Sequence, residues 1–236
     1  EMIFWQSSHD HPNVVKYLGS FIHDSTIWIL QEYLNGGSIY DILQFGYNHG
    51  FKEESLIATI LREVLNFLSY FHKREQVHRH LQSSSILLSN KGEIKVSDYG
   101  YSAGLFDTGQ RKNTKFIILG TACYTAPETI SDSICREPAD IWSLGIIALE
   151  LALGHPPHSE LTPMEQIISI IGENPSALPE RYSSQFREFV SACLQKNPAN
   201  RATALELLKH PFIRKSLECS HIEKVLMKSL PPLEKR

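Results

Sequence analysis

Apolar and polar residues follow two different rhythms along the chain. Residues 14–21 and 26–33, VVKYLGSF and TIWILQEY, are rich in β-branched and aromatic residues and flank the short segment IHDS. This pattern predicts two strands joined by a turn. Two further strand-like segments, SILLS at 85–89 and EIKVSDYG at 93–100, are separated by the turn residues NKG.

Between and after these segments the apolar residues recur at three- and four-residue spacing. SIYDILQF at 38–45 and the longer segment at 53–73 predict two amphipathic helices. The run IWSLGIIALELAL at 141–153 is too short to span a membrane and contains Glu150, so it predicts a buried helix. The polar stretch from about 106 to 115 predicts no regular structure, and mostly helices follow it. Strands first and helices later indicate an α+β fold.

The first two predicted strands have apolar faces that need cover. A sheet of only two strands is marginally stable in water. We therefore expect further strands upstream of Glu1, and we expect the chain to be an excerpt of a longer protein, since it does not start with Met.

Composition narrows the class of partner. Hydrophobic residues make up 42% and charged residues 21% of the chain, as in ordinary globular proteins, and the net charge is -3. This charge gives no electrostatic reason to expect binding to nucleic acid or to an anionic membrane. Four widely spaced cysteines and no visible signal peptide favour a reducing compartment, so we expect a cytoplasmic protein.

Six short motifs occur in an order that carries more information than any one of them. They are HPNVVKYLGSF, HRHLQSSSILL, DYG, GTACYTAPE, DIWSLGI and NPANR. Together they resemble the motif set of eukaryotic protein kinases. The segments LNGGSIYDIL, ATILREVL and LLKHPFI are similar to those of the sterile-twenty (germinal-centre) kinase family, and especially to its oxidative-stress-responsive and class-III myosin kinase branches.

This resemblance implies a domain layout. Residues 1–34 correspond to a remnant of the kinase N-lobe and hinge, with two strands and the end of helix C. Residues 35–213 correspond to the mostly helical C-lobe, and 214–236 to a C-terminal helical tail.

The resemblance also identifies the catalytic positions. An active kinase loop reads His-Arg-Asp-x-Lys-x-x-Asn, in which the Asp receives the substrate hydroxyl, the Lys contacts the transferred phosphate and the Asn binds a metal ion. Here His78 and Arg79 match, but the Asp position is His80, the Lys position is Gln82 and the Asn position is Ser85. Histidine can accept a proton near neutral pH. Phosphoryl transfer nevertheless depends mainly on positioning and charge, and Gln82 supplies no charge.

Other residues implied by the resemblance concern nucleotide and metal. Asp98 of DYG corresponds to the carboxylate that holds magnesium, and the alternative is that it caps the following loop. Ser85 is a second candidate metal ligand. The implied nucleotide-binding residues are Glu32 and Leu34 through their backbone, Ser38 near the ribose, and Leu87 as the floor of the adenine pocket. ATP and magnesium are the implied cofactors, and the replaced loop residues weaken both expectations.

A third group of residues corresponds to the activation segment and to the bracing of the lobe. Thr114 resembles a phosphosite, Thr121 resembles a serine/threonine-type substrate loop, and Glu128 resembles the partner of Arg201 in a buried ion pair. We expect Asp140 to brace the catalytic-loop backbone. We expect Arg79 to be available to a phosphorylated activation loop.

The substitutions are selective, because chemical positions change while bracing positions are retained. We therefore predict a catalytically impaired domain, similar to the sterile-twenty-related adaptor pseudokinases, that binds another kinase or a scaffold protein. The enzymatic alternative is an active serine/threonine kinase with an atypical catalytic loop, and a third alternative is a gene fragment without a stable fold. In the tail, Ile222, Val225, Leu226 and Leu230 share one predicted helical face, which either docks a partner or packs on its own domain.

Overall fold

The computed structural model of the chain describes residues 11–98, 103–104, 106–107, 110–111, 122–132, 135–174 and 176–233. Within these ranges the strands come first and the long helices follow. The α+β class predicted from the sequence is confirmed.

The predicted N-terminal hairpin is present. Strand β1 (Tyr17–His23) pairs antiparallel with β2 (Thr26–Gln31). The turn consists of two residues, Asp24 and Ser25, which both have positive φ angles, 46° and 64°. Such turns match the right-handed twist of paired strands. The large apolar side chains of this hairpin are exposed, and they include Leu18, Phe21, Ile22, Ile27, Trp28, Ile29 and Leu30.

Further short strands form small sheets of two or three strands. Strands β3 (Gly37–Ser38), β5 (Ile86–Leu88) and β6 (Ile94–Val96) form one antiparallel sheet in the order β3-β5-β6. Strand β4 (Gln76–Val77) pairs with β7 (Ala103–Gly104).

One expectation from the sequence is wrong. The polar stretch from about 106 was expected to lack regular structure, but Phe106–Asp107 (β8) pairs with Gln110–Arg111 (β9). Side-chain polarity did not reveal this pairing, because a hairpin with two residues in each strand is held by backbone hydrogen bonds.

Two helices build the first half of the helical body. Helix α1 (Ile39–Gly46) begins at Ser38, whose hydroxyl accepts the Asp41 N–H while the Asp41 carboxylate accepts from Ser38 in return. Helix α2 (Glu54–Lys73) buries one continuous face, as its periodicity predicts. Both predicted helices are confirmed.

Helix α3 (Pro127–Asp132) precedes the central helix α4 (Glu137–Leu153), which is buried on nearly all sides. Helix α4 ends at Gly154, whose φ of 92° is left-handed. A Cβ at Gly154 would lie 2.1 Å from the Asn48 carbonyl oxygen, so only glycine fits this close backbone approach. The buried helix predicted from the apolar run is confirmed.

Three shorter helices follow: α5 (Pro163–Gly172), α6 (Ser184–Cys193) and α7 (Ala204–Leu208). The tail forms α8 (Cys219–Ile222), which continues as a π-helical turn at Glu223–Met227. None of the helices in these described ranges combines the length and apolarity that a bilayer span requires.

The apolar stripe of the tail packs on its own domain. Ile222 and Leu226 are fully buried in the core, and Val225 and Leu230 pack against it partly buried. The predicted stripe exists, but its apolar side chains are occupied by intramolecular contacts. A docking role for this face therefore has no support.

Candidate functional site

Asp140 holds the backbone of the loop that follows β4. This side chain extends from the first turn of α4 and is buried, and its two carboxylate oxygens each accept one N–H at 2.9 Å, from His78 and from Arg79. A third donor, His72 Nε2 of α2, lies 2.9 Å from Oδ2. Arg79 has a φ of 70°, an uncommon conformation for a residue with a side chain, and the two backbone bonds hold it there.

His78 is a structural residue of this loop. Its ring is fully buried, with Nε2 at 2.8 Å from the Ser97 carbonyl and Nδ1 at 3.4 Å from the His80 N–H. A ring that donates at Nε2 and accepts at Nδ1 is neutral. Burial lowers the pKa of His78, against the opposing attraction of Asp140, and so favours the same neutral form.

His80, which the resemblance aligns with the catalytic aspartate, is half-buried. Burial lowers the pKa of His80, while the charge of Asp98 acts in the opposite direction. The ring is therefore largely neutral at physiological pH and can accept a proton. It carries no negative charge, so it cannot attract a metal ion or orient a hydroxyl as a carboxylate does.

The Ser85 hydroxyl is bound to the backbone of Gln82 rather than presented to a ligand. The Ser85 hydroxyl is fully buried, donates to the Gln82 carbonyl at 2.7 Å and accepts the Gln82 N–H at 3.1 Å. The single hydroxyl proton is therefore already used inside the loop. A metal ion at Ser85 would compete with both hydrogen bonds, and the role of Ser85 as a metal ligand stays a prediction.

Asp98 lies next to a residue that is hydrogen-bonded to this loop. The Ser97 N–H donates to the Ser85 carbonyl at 2.8 Å, and Asp98 comes next, exposed and with a φ of 63°. Its carboxylate is available to a cation. In the described part of the chain, no three histidine, cysteine or acidic side chains converge as a metal cluster.

The residues predicted to contact a nucleotide lie close together. Ser38 and Leu87 are paired across β3 and β5, and Lys95 is paired with Leu87 on the other side. Lys95 Nζ contacts both carboxylate oxygens of Glu32, at 2.7 and 2.8 Å. The Ser38 hydroxyl is engaged in the cap of α1, and the backbone N–H of Glu32 donates to the Lys16 carbonyl at 2.9 Å.

The other predicted hinge residue, Leu34, has a buried side chain, and its carbonyl accepts the Gly37 N–H at 3.3 Å. Leu87 is half-buried on β5. The structure thus brings the four predicted nucleotide-contacting residues to one region, and their roles in nucleotide binding stay predictions.

Glu128 and Arg201 form the ion pair expected of the activation segment and the lobe. Arg201 Nη1 lies 2.7 Å from Glu128 Oε1, and Nη2 lies 3.0 Å from Oε2. The guanidinium also donates to the carbonyls of Pro138 and Gln195. This arrangement fixes the start of α3 against the segment after α6.

Reasoning from the sequence missed a second buried acid. Glu150 of α4 is buried, and its carboxylate accepts the Ser83 hydroxyl at 2.7 Å and the Tyr124 hydroxyl at 2.8 Å. Burial raises the pKa of Glu150 to about 7, although the two hydroxyl donors lower it. The signal was available, since a lone acid within an apolar helical run needs buried partners. We call Ser83, Tyr124 and Glu150 the buried triad.

The buried triad joins the loop at 78–85 to the segment that follows residue 121. Thr114 and Thr121, the two other predicted activation-segment residues, lie outside the described residues. Their roles stay predictions.

The residues present fit magnesium and ATP incompletely. Asp98 supplies one exposed carboxylate, but Ser85 turns its hydroxyl inward, and the side chain of Gln82 has no charge for a phosphate. A phosphoryl-transfer site typically holds its metal ions through two protein oxygen ligands and neutralises the phosphate with cations. Of the two predicted metal ligands, Asp98 is exposed in the described structure and Ser85 is buried.

Comparison of the sequence with known proteins identifies the family of the chain. The protein kinase domain family matches residues 1–213. The chain is similar to serine/threonine-protein kinase fray2 of Dictyostelium discoideum, with 39% identity over 230 residues, which is 96% of this chain and 22% of fray2. It is also similar to serine/threonine-protein kinase hippo of Drosophila melanogaster, with 42% identity over 219 residues, 92% of this chain and 32% of hippo.

A fungal relative gives the same result. Serine/threonine-protein kinase sid1 of Schizosaccharomyces pombe is 41% identical over 213 residues, which is 90% of this chain and 44% of sid1. The chain thus spans less than half the length of each of these curated relatives.

Proposed function

This chain belongs to the protein kinase domain family, and we propose that it is a catalytically impaired member that acts in signalling by binding or allosterically regulating a partner kinase. The family membership supplies the fold and the relatives are serine/threonine kinases. We propose a cytoplasmic setting, in keeping with the cysteine pattern.

The observation that carries the proposal is the pair of hydrogen bonds between the Ser85 hydroxyl and the backbone N–H and carbonyl of Gln82. In an active loop these two positions supply a cation for the phosphate and an oxygen for the metal. Here the hydroxyl of Ser85 is buried and bonded twice to the backbone of Gln82. Loss of one preorganised electrostatic contact typically costs a factor of roughly 100 to 1,000 in rate. Such losses need not multiply, because the groups act as a unit.

The bracing residues support a folded role for the same loop. Asp140 accepts both loop N–H groups, and the pair formed by Glu128 and Arg201 is complete. A domain with intact bracing and altered chemistry can present a fixed surface to a partner without turning over a substrate.

An active serine/threonine kinase is the second candidate. It is favoured by the exposed carboxylate of Asp98 and by relatives that are named as serine/threonine-protein kinases. In that case His80 would receive the substrate proton, since burial lowers its pKa and keeps the ring neutral.

One experiment separates these two candidates. Transfer of the γ-phosphate of ATP to a generic serine/threonine substrate is measured for the full-length protein, for Asp98→Ala, and for the triple variant H80D/Q82K/S85N. The proposal predicts no transfer above the Asp98→Ala background for the unmodified protein and a gain of at least about 100-fold in the triple variant.

The opposite pattern supports the active kinase. Transfer by the unmodified protein that disappears in Asp98→Ala would overturn the proposed impairment, and His80→Ala would then test the proton acceptor. Equal thermal unfolding of all variants ensures that the comparison concerns chemistry rather than folding.

A further inference from the structure

The hydroxyl of Ser216, near the start of the tail, lies against a guanidinium of helix α2. Arg62 donates from Nη1 to Ser216 Oγ at 2.9 Å and from Nη2 to the Leu217 carbonyl at 2.8 Å. One side chain thus binds two neighbouring residues of the tail. Because arginine keeps its positive charge at physiological pH, a negative group on the Ser216 oxygen would be stabilised at this position.

The orientation of Arg62 is fixed from its other side. Its Nε donates to Glu63 Oε1 at 2.9 Å, and Glu63 Oε2 accepts from Asn13 Nδ2 at 2.8 Å. Asn13 is buried, and the same amide nitrogen donates to the Ile94 carbonyl at 2.9 Å. The two Nη groups are therefore already directed at the tail, and an anion there would meet donors that need little rearrangement.

The residues around Ser216 have the charge pattern of a kinase substrate. Arg214 and Lys215 precede the serine, and Arg214 is exposed. Leu217, which follows it, is 42% exposed. Ser216 is partly exposed and has an extended backbone, with φ of -63° and ψ of 145°. This pattern suits a serine/threonine kinase that selects basic residues before its acceptor, since kinases discriminate among substrates by charge.

From these contacts we infer that Ser216 is a phosphorylation site and that Arg62 binds the phosphate. In the reaction the Ser216 oxygen forms a bond to the γ-phosphorus of ATP, the bond from that phosphorus to the departing ADP oxygen breaks, and the hydroxyl proton passes to the base of the acting kinase. The phosphate carries about -1.5 to -2 charges at pH 7, so the hydrogen bond between Arg62 and a neutral hydroxyl becomes an ion pair. The acting enzyme is a separate kinase, so the inference does not require phosphate transfer by this chain.

The other charged residues beside the site nearly balance one another. Lys215 Nζ is paired with Glu54 Oε2 at 2.9 Å. Arg214 and Glu218 are opposite in sign and exposed, so water and salt screen both. Glu63 opposes the phosphate, but the guanidinium that would bind the phosphate also contacts this carboxylate. The direct contact with the guanidinium therefore decides the sign of the effect.

The first test determines whether Ser216 is an acceptor. The folded full-length protein is incubated with ATP and a purified serine/threonine kinase that requires basic residues before its acceptor, and phosphate in the tail peptide is measured by mass spectrometry. Ser220→Ala is the control for Ser216→Ala, since Ser220 is exposed in the same tail and no basic residue occupies the three positions before it. A reaction without the added kinase measures transfer by the chain itself.

We expect the tail of the unmodified protein and that of Ser220→Ala to be phosphorylated alike. In Ser216→Ala we expect at least about 10-fold less phosphate in the tail, because the serine that follows the basic residues is gone.

The second test determines what the phosphate contacts. Protein with phosphoserine incorporated at position 216 is compared with unphosphorylated protein by hydrogen exchange of the amides at 215–222. The comparison is repeated in Arg62→Gln and in the control Arg74→Gln, which makes the same substitution at the C-terminal end of α2, about 18 Å along the helix axis. Each variant is its own reference, so the loss of the existing Arg62 hydrogen bonds does not enter the result.

We expect the phosphate to slow exchange at 215–222 at least about 5-fold in the unmodified protein and in Arg74→Gln, because the ion pair holds the tail on α2. In Arg62→Gln we expect no slowing.

Three results would overturn the inference. The first is phosphorylation of the folded tail that Ser216→Ala leaves unchanged. The second is faster exchange after phosphorylation, which would mean that repulsion from Glu63 expels the tail. The third is equal slowing in Arg62→Gln and Arg74→Gln. None of these results depends on phosphate transfer by this chain, so failure of this inference is distinguishable from failure of the proposed catalytic impairment.

Discussion

Arg201 and Glu128 meet through two parallel N–H···O hydrogen bonds, at 2.7 and 3.0 Å, across 73 positions of sequence. The Arg201 side chain is fully buried and that of Glu128 is 15% exposed. Planar two-point pairing of this kind fixes geometry as well as charge. It joins the start of α3 to the segment after α6, which no local interaction could do.

Removal of one partner of this pair should destabilise the domain. For Glu128→Ala we expect the free energy of unfolding to fall by about 3–5 kcal/mol, because the Arg201 charge stays buried without its carboxylate. Denaturant unfolding measures this change. Glu53→Ala is the control, since Glu53 pairs with His221 at a site where its side chain is 43% exposed, and we expect a loss below about 1 kcal/mol. Similar losses in both variants would contradict the conclusion that Glu128 neutralises a buried Arg201 charge.

The buried triad should make stability depend on pH. The pKa of Glu150 is raised from 4.5 to about 7 in the folded state, so between these values the folded protein binds a proton that the unfolded chain has released. The contribution of Glu150 is therefore fully present below pH 4.5 and is lost as the pH rises through about 7. At about 1.4 kcal/mol per pKa unit, the loss is about 3 kcal/mol.

Comparison with Glu150→Gln isolates this effect. His78 acts in the opposite direction, because its lowered pKa removes stability as the pH falls below 6.5, but this term is common to both proteins. We expect the unmodified protein to lose up to about 3 kcal/mol relative to Glu150→Gln between pH 4.5 and pH 8, by urea unfolding at each pH. A difference that does not change with pH would contradict the raised pKa.

Ser83→Ala tests the triad from the loop side. The variant removes a hydroxyl donor from a buried carboxylate, which costs about 1–3 kcal/mol at pH 8. It also raises the pKa of Glu150 further, because the Ser83 hydroxyl lowers that pKa. Ser84→Ala is the neighbouring control at a half-buried serine, and we expect it to change stability by less than about 0.5 kcal/mol. If both variants keep the same pH profile as the unmodified protein, Ser83 does not stabilise the carboxylate.

Gly92 and Gly172 should respond to alanine in opposite directions. Gly92 has a φ of 79°, and a Cβ there would lie 2.3 Å from the Cys219 carbonyl oxygen and 2.8 Å from the Glu223 nitrogen. We expect Gly92→Ala to destabilise the domain by more than about 1 kcal/mol and to speed hydrogen exchange at 219–227. Nothing lies within 4 Å of a Cβ at Gly172, at the end of α5, so Gly172→Ala should be neutral or stabilising by up to about 1 kcal/mol. A tail whose exchange is equal in both variants would contradict the close packing at Gly92.

Much of the fold was predictable because its signals are local. The first hairpin, α1, α2 and α4 follow from the spacing of apolar residues, and the structure has them close to the predicted bounds. The β8–β9 hairpin and the π-helical turn of the tail did not follow, since each depends on backbone pairing or on packing partners distant in sequence.

The candidate site was predictable in its positions but not in its bonding. The motifs identify His80, Gln82 and Ser85, yet no pattern in the sequence shows that the Ser85 hydroxyl turns inward to Gln82. Glu150 was visible as an acid within an apolar run. Its partners Ser83 and Tyr124 lie 67 and 26 positions away in sequence, and only the fold brings them to it.

Asp140 has a consequence for how this chain could change over generations. Because its carboxylate fixes the backbone N–H groups of His78 and Arg79, this end of the loop keeps its shape whichever side chains follow at 80 and 82. A lineage could therefore exchange the reactive residues one at a time without an unfolded intermediate, and by the same route an inactive descendant could regain them. Loss of Asp140 itself would prevent such exchanges, since the backbone at His78 and Arg79 would no longer be held in place.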